Sequence, residues 1–205
     1  MIKVLGRANS LNVRKVVWCL AELERAYQRE DYGRGFTPLD TPQFRRLNPN
    51  STVPVLIDGD LVLWESNAIV RHLCASDPAR RCWSADAATQ ADPGQWMDWQ
   101  ATVFYPALQV LFHAHRLAEP MDAPACMAAA RHLVQITQLL DARLATRAAA
   151  PDMPLRPDDF ALGPVVHRWF TLPIERPDRP ALARYYTALR RADIDMGCEG
   201  RARPQ

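Results

Sequence analysis

Apolar positions in the first part of the chain switch between short runs and helical spacing. Residues 2–5 form an apolar run that predicts a strand. Over residues 12–24, Val13, Val16, Val17, Leu20 and Leu23 share one helical face. Residues 27–32 read as a second strand, and residues 33–42, with two glycines and two prolines, as a loop. Residues 43–47 leave room for one helical turn. The most ordered stretch is residues 48–73, NPNSTVPVLIDGDLVLWESNAIVRHL. Val53, Val55, Leu56 and Ile57 make a strand-forming run, Asp58-Gly59 is a two-residue hairpin signal, and residues 61–64 form the returning strand. Glu65-Ser66-Asn67 starts a helix backed by Ile69, Val70 and Leu73. The predicted order is β-α-β-(α)-β-β-α, with a parallel pair across the first crossover and an antiparallel final hairpin.

Residues 76–93 change character. Asp77-Pro78, Arg80-Arg81 and Asp92-Pro93 read as a linker or the end of a boundary helix. Beyond it only helical spacing is found: Trp96, Trp99, Val103, Ala107 and Val110, then Leu133, Ile136, Leu140 and Leu144. Residues 151–157 carry three prolines and predict a loop. Helices follow over 158–170 and 180–192, and then a loose polar tail from 193. The pattern predicts an α/β domain of residues 1–76 and an all-helical domain that begins near residue 90 and takes in the rest of the chain to 205.

Composition narrows the partners. A chain of 205 residues can bury one large core or two small ones. A net charge of +2, from 25 basic and 23 acidic residues, carries no footprint for nucleic acid or a membrane, so neither is expected. Only Lys3 and Lys15 are lysines. Cys19, Cys74, Cys82, Cys126 and Cys198 are odd in number and show no CxxC spacing, which predicts neither a disulfide framework nor a metal site. The N-terminus enters a strand directly and no apolar run is long enough to span a membrane, so a cytoplasmic location is expected.

Two places carry polar residues suited to chemistry. A proline removes a ladder donor, so Pro54 belongs at a strand's first residue or edge. A cis Val53-Pro54 bond would leave the N–H and C=O of Val53 free for a guest. Next to it, a helix starting at Glu65-Ser66, with Ser66 as cap, offers free N–H groups and a partial positive end to a carboxylate. Glu65 would hold an ammonium. Together they suit the α-amino-acid end of a ligand extended along Val53. The plainer alternative is a strand start and a helix cap. The second place is the loop of residues 7–14, RANSLNVR, where Ser10 and Asn12 present donors at a helix start, either as caps or toward a ligand.

The run V-P-V-L, then D-G, then W-E-S-N-A-I, resembles the glutathione-binding half of the glutathione S-transferase family. The resemblance implies an α/β plus all-α protein: an N-terminal thioredoxin-like domain and an all-helical C-terminal domain contributing the second-substrate site. It implies glutathione as co-substrate, a cis Pro54, and a γ-glutamyl end held by Val53, Glu65 and Ser66. Thr52 would lie near the glycine end, with Asn50, Gln43 and Arg34 as further candidates there. Ser10 falls where the serine-type theta and delta classes carry a catalytic serine. Asn12 falls where a nu-like bacterial group carries an asparagine. Either would stabilise the thiolate, which is the reactive form of a thiol with a free pKa of ~8.5. Thioredoxin's CxxC is missing, so two-cysteine chemistry is excluded and Cys19 is expected as a small core residue.

The resemblance also implies a homodimer, across which Asp98 would reach for the ligand amine. The helical domain offers Phe104, Tyr105, Phe112, His113, Trp169 and Phe170, together with His115, as an apolar wall. Near residue 159 the family caps a helix with Ser or Thr followed by Asp; here Asp159 matches, but Arg156 takes the cap position. The expected activity is transfer of glutathione to an unidentified hydrophobic electrophile, in detoxification. A nu-like glutathione-dependent disulfide reductase and a non-catalytic binding module are the alternatives.

Overall fold

Strands β1 (Ile2–Leu5), β2 (Tyr27–Glu30), β3 (Val55–Asp58) and β4 (Leu61–Trp64) form one sheet in the order β2-β1-β3-β4. This computed structural model describes residues 1–116, 122–147 and 154–191 of the chain. Helix α1 (Leu11–Glu22) carries the chain across to β2, so β1 and β2 are parallel. The one-turn helix α2 (Pro42–Leu47) and the hairpin make β3 antiparallel to both neighbours. Asp58 pairs with Leu61, so the turn residues are Gly59 and Asp60, one later than the sequence pattern indicated. Gly59 takes φ +60°, which a residue without Cβ adopts at no steric cost. Helix α3 (Ser66–Ala75) follows the hairpin. These elements are the thioredoxin-like arrangement that the resemblance implied.

The remainder of the described chain is helical: α4 (Ala87–Trp99), a π-helical turn (Gln100–Phe104), α5 (Tyr105–Arg116), α6 (Ala123–Thr146), α7 (Pro157–Thr171) and α8 (Pro180–Arg191). Helix α4 begins inside the stretch that reads as a linker. Asp86 caps it by accepting from the Thr89 amide at 2.7 Å, and Pro93 lies within it. A proline there removes one backbone bond, and burial of Pro93, Trp96 and Met97 holds the helix together regardless. The tail from 193, Cys198, residue 192 of the last helix, and residues 151–153 of the proline-rich loop lie outside the described residues. No helix among the described residues is long and apolar enough to cross a membrane.

The two parts share one core. Val13, Val16 and Leu20 of α1 and Ile69, Val70 and Leu73 of α3 are buried in the same cluster as Phe160, Leu162 and Val165 of α7. Trp18 meets Phe160 edge-on with centroids 4.8 Å apart. Gly163 permits this approach, since a Cβ there would come within 2.5 Å of the Trp18 ring. A smaller cluster of Leu5, Phe44 and Val55 fills the other sheet face beneath α2.

The foot of α7 is ionic. Arg147 grips both oxygens of Asp159 at 2.7 Å, and Tyr185 donates to the same carboxylate at 2.8 Å. Asp159 also accepts the Arg156 amide at 2.8 Å, so it closes the helix start from the first turn. The reciprocal half of a capping box is absent because a guanidinium has no acceptor. Arg143 pairs with Asp158 and, at 3.1 Å, with Asp92, while Arg156 Nε lies 3.2 Å from Asp158. Asp158 and Asp159 are fully buried. Burial, followed by the charge of Asp159, raises the Asp158 pKa against the pull of Arg143 and Arg156.

Candidate functional site

The start of α3 is built for an anion. The carbonyl of Glu65 accepts from Ile69 at 2.9 Å, leaving the amides of Ser66, Asn67 and Ala68 without an acceptor inside the helix. Glu65, not Ser66, occupies the cap position; Ser66 is the first helical residue, buried, and its hydroxyl has no partner among the described residues. The reason is backbone geometry. Glu65 turns the chain from β4 into α3 at φ +68°, ψ 110°, a conformation that an L-residue holds only under strain of about 1–3 kcal/mol. Its side chain carries no ion pair among the described residues and is exposed. The Val53-Pro54 bond is cis, as expected. Neither the N–H nor the C=O of Val53 enters a backbone hydrogen bond among the described residues. Thr52 is exposed, and its Oγ1 and carbonyl accept from Asn48 Nδ2 at 3.1 and 2.9 Å, so its hydroxyl proton is still available.

The start of α1 lies against this edge. Gly6, at φ +147°, has room for no side chain: a Cβ would sit 3.1 Å from Val53 Cβ and 2.5 Å from Val13 Cγ2. The Gly6–Ser10 loop and Val53 are thereby pressed together. Ser10 is the N-cap of α1 by position, and its amide donates to the Arg7 carbonyl at 3.1 Å. Its hydroxyl, however, makes no capping bond. The Asn12 amide likewise has no partner among the described residues. The capping role that each could have filled is therefore not what either side chain does. Cys19, by contrast, is fully buried with Sγ 3.7 Å from Cys74 Sγ, the core role expected of it.

One buried residue behind the two helix starts was not picked out by its sequence context. Lys15 Nζ donates to Asn67 Oδ1 at 3.1 Å and to Gln100 Oε1 at 2.6 Å, and Asn67 Nδ2 donates to the Met97 carbonyl at 2.7 Å. Lys15 thus ties α1 to α3, one residue past Ser66, and both to the π turn. Burial pushes its pKa down to about 7, with the Glu65 charge opposing. The available signal was a lysine on the apolar face of α1, in a chain whose other basic residues are nearly all arginine.

The expected aromatic wall is smaller than the sequence list. Phe104 and Trp169 are core residues at 0% and 2% exposure. Phe170 stacks on Tyr186 at 4.4 Å, and His115 is exposed. Tyr105, Phe112 and His113 are half-buried on α5. Asp98, exposed, pairs with Arg71. A surface cavity of about 440 Å³ between residues 80–93 and 154–157 includes none of the site residues. No group of three or more metal-ligating side chains is found among the described residues.

The α3 start with its free amides, the neighbouring Glu65, the cis Val53-Pro54 bond and the Ser10 hydroxyl all belong to the thioredoxin-like part of the chain. Residues 1–75 match the family described as glutathione S-transferase, N-terminal domain. The chain is 36% identical over 200 residues to the glutathione S-transferase GstB of Escherichia coli K12, covering 92% of this chain and 93% of that one. It superposes with a TM-score of 0.84, at 39% identity and 98% coverage of both chains, on the glutathione-bound theta class glutathione S-transferase of Xanthomonas axonopodis pv. citri. Ure2p in complex with glutathione, 22% identical over 94% of this chain with a TM-score of 0.82, shares the fold. The chain belongs to the glutathione S-transferase family.

Proposed function

We propose that this chain activates glutathione for attack on an electrophile, with Ser10 and Asn12 as the donors to sulfur. The observation that supports this most is the unengaged Ser10 hydroxyl at the α1 N-terminus. Donors and a helix end aimed at a sulfur favour the thiolate. Each unit of lowering needs about 1.4 kcal/mol, so one hydroxyl and a helix end supply roughly one to two units. The γ-glutamyl carboxylate takes the free α3 amides and the Ser66 hydroxyl, its ammonium takes Glu65, and the peptide pairs with Val53 beside Pro54. Thr52 donates to the glycine end.

The disulfide-reductase and binding-module alternatives are not favoured by the relatives. The compartment we infer is reducing, in keeping with four free cysteines among the described residues. A homodimer suits the exposed apolar residues on both parts of the chain: Phe36, Val62 and Trp64 on the small domain, Met127, Val134 and Leu139 on α6. Conjugation of electrophiles in detoxification is the role that follows.

The test is thiolate absorbance of bound glutathione against pH, for wild type, Ser10→Ala and Asn12→Ala. The substitution that raises the titration further marks the principal donor, while glutathione affinity stays nearly constant. If neither substitution moves the titration, neither residue serves the sulfur.

A further inference from the structure

Of the two lysines, Lys3 is exposed and pairs with Glu30 at 3.2 Å. Lys15 is buried and pairs with no carboxylate among the described residues. Buried charges ordinarily meet a counter-charge, because an ammonium gives up its hydration on burial. Here the fold supplies amides instead. Asn67 turns its oxygen to Lys15 Nζ at 3.1 Å and its nitrogen to the Met97 carbonyl at 2.7 Å. Gln100 gives Nζ its oxygen at 2.6 Å, while its own Nε2, buried, has no hydrogen-bond partner among the described residues. Two carbonyl oxygens solvate the ammonium and neither neutralises it. A glutamate has nearly the shape of a glutamine and would neutralise the charge at the same place.

This uncompensated charge lies one side chain away from an uncompensated helix start. Asn67 is the second residue of α3, and its own backbone amide is one of those without an acceptor inside the helix. The Ser66 hydroxyl beside it, on a residue with 5% exposure, has no partner among the described residues. The Asn67 side chain alone thus links a buried ammonium to amides and a hydroxyl that suit an anion. Burial presses Lys15 toward losing its proton, with Glu65 opposing. Across a dry interior, charges a few ångströms apart interact far more strongly than in water. An anion at the α3 start and the ammonium of Lys15 therefore favour each other.

We propose that Lys15 is a positioning residue of the α3 anion site: it fixes the helix start through Asn67, and the ligand's carboxylate supplies the counter-charge that the fold withholds. This rests on the glutathione-transfer reading, in which that group is the α-carboxylate of the γ-glutamyl end. The site then selects the ligand for its negative charge, and a neutral hydrogen-bond acceptor in the same place does not replace it. Gln100, on the π turn, belongs to the same device because it holds the ammonium without discharging it.

The experiment is a cycle of ligands against variants, read by calorimetric titration at pH 6.5. S-methylglutathione is compared with S-methyl-(4-aminobutyryl)-cysteinylglycine, which lacks the α-carboxylate, and S-methyl-glutaryl-cysteinylglycine, which lacks the α-amino group; S-methylation keeps thiol ionisation out of the signal. In wild type, removing the carboxylate is expected to weaken binding by about tenfold to a hundredfold, the range of charge-assisted hydrogen bonds. In Lys15→Met and in Gln100→Glu, which places a counter-charge on the ammonium, that factor falls to about threefold. The factor for removing the amino group does not shrink with it. Gln100→Glu keeps the Lys15 contact and reads the same charge where Lys15→Met does not fold. An equal carboxylate factor in all three proteins overturns the proposal, as does a fall in Lys15→Met that Gln100→Glu does not share. A weakening of all three ligands alike would make Lys15 a purely structural residue and also overturn it. A wild type indifferent to the carboxylate would refute the placing of the γ-glutamyl end at α3, and the proposal with it. A wild type that binds none of the three ligands would refute the glutathione reading itself.

Discussion

The foot of α7 and the two helix starts both hold buried or half-buried polar groups and treat them differently. At the α7 foot a carboxylate such as Asp159 meets a guanidinium, a phenol and a backbone amide, all within 2.8 Å. At the starts of α1 and α3, Ser10, Asn12 and Ser66 have no side-chain partner among the described residues, and Glu65 sits at positive φ. Buried polar groups ordinarily find partners, because leaving one unpaired costs about 1–3 kcal/mol. The first region is paired within the fold, save Arg143 Nη1, Arg147 Nε and Asp158 Oδ1, which have no hydrogen-bond partner among the described residues. The second is left incomplete in the same fold, as a site completed by a ligand would be.

The sharpest way to break the contrast is Asp159→Ala, which strands Arg147 and Tyr185 and removes the α7 cap. A loss of about 3–5 kcal/mol in urea unfolding is expected, with glutathione affinity of the folded fraction unchanged. Glu65→Gln should do the reverse. Calorimetric titration is expected to show glutathione binding weaker by about 1.5–3 kcal/mol, with unfolding free energy within ~0.5 kcal/mol of wild type.

Lys15 stands between the two regions, and its effect depends on pH. Its folded value of about 7 is below its ordinary 10.5, so between those values the unfolded chain holds a proton that the folded one has released. Stability therefore rises with pH from about 7 to about 10, and below 7 the whole penalty is in place. The unfolding free energy of wild type minus that of Lys15→Met should climb by about 1–2 kcal/mol between pH 7 and 9. A flat difference would mean that Asn67 and Gln100 keep the ammonium charged throughout. The smallest effect is on stability in Ser10→Ala: a true cap would cost about 1 kcal/mol, and here thermal unfolding should hardly move.

What could be read in the sequence were features decided by neighbours along the chain. The hairpin, the apolar face of α1, Pro54 and the Glu65-Ser66 helix start depend on spacing within a few residues, and each appears, with the hairpin turn one residue later and the cap at Glu65 instead of Ser66. Asp92-Pro93 misled because local chemistry signals a break, while the packing of Trp96 and Met97 overrides it. Phe104 and Trp169 were indistinguishable from pocket residues, since an aromatic at helical spacing says nothing of what faces it. Lys15 was hidden for the same reason: Asn67 lies 52 residues away and Gln100 lies 85 away. The partnerless state of Ser10 and Asn12 is a fact about three-dimensional surroundings, and spacing could only leave capping and ligand contact both open.

The π turn carries one consequence for how this helix can vary. The Tyr105 amide bonds to the Gln100 carbonyl, five residues back, so this turn encloses one residue more than an α turn. It acts as a phase shifter between α4 and α5. Winding the same residues Gln100–Phe104 as α, with none removed, would advance the phase by one residue and rotate everything downstream by about 100° relative to α4. Tyr105, Phe112 and His113 would then change face together, although none of them had been replaced. The orientation of these aromatic residues is thus set by the winding of one turn as much as by the residues on it.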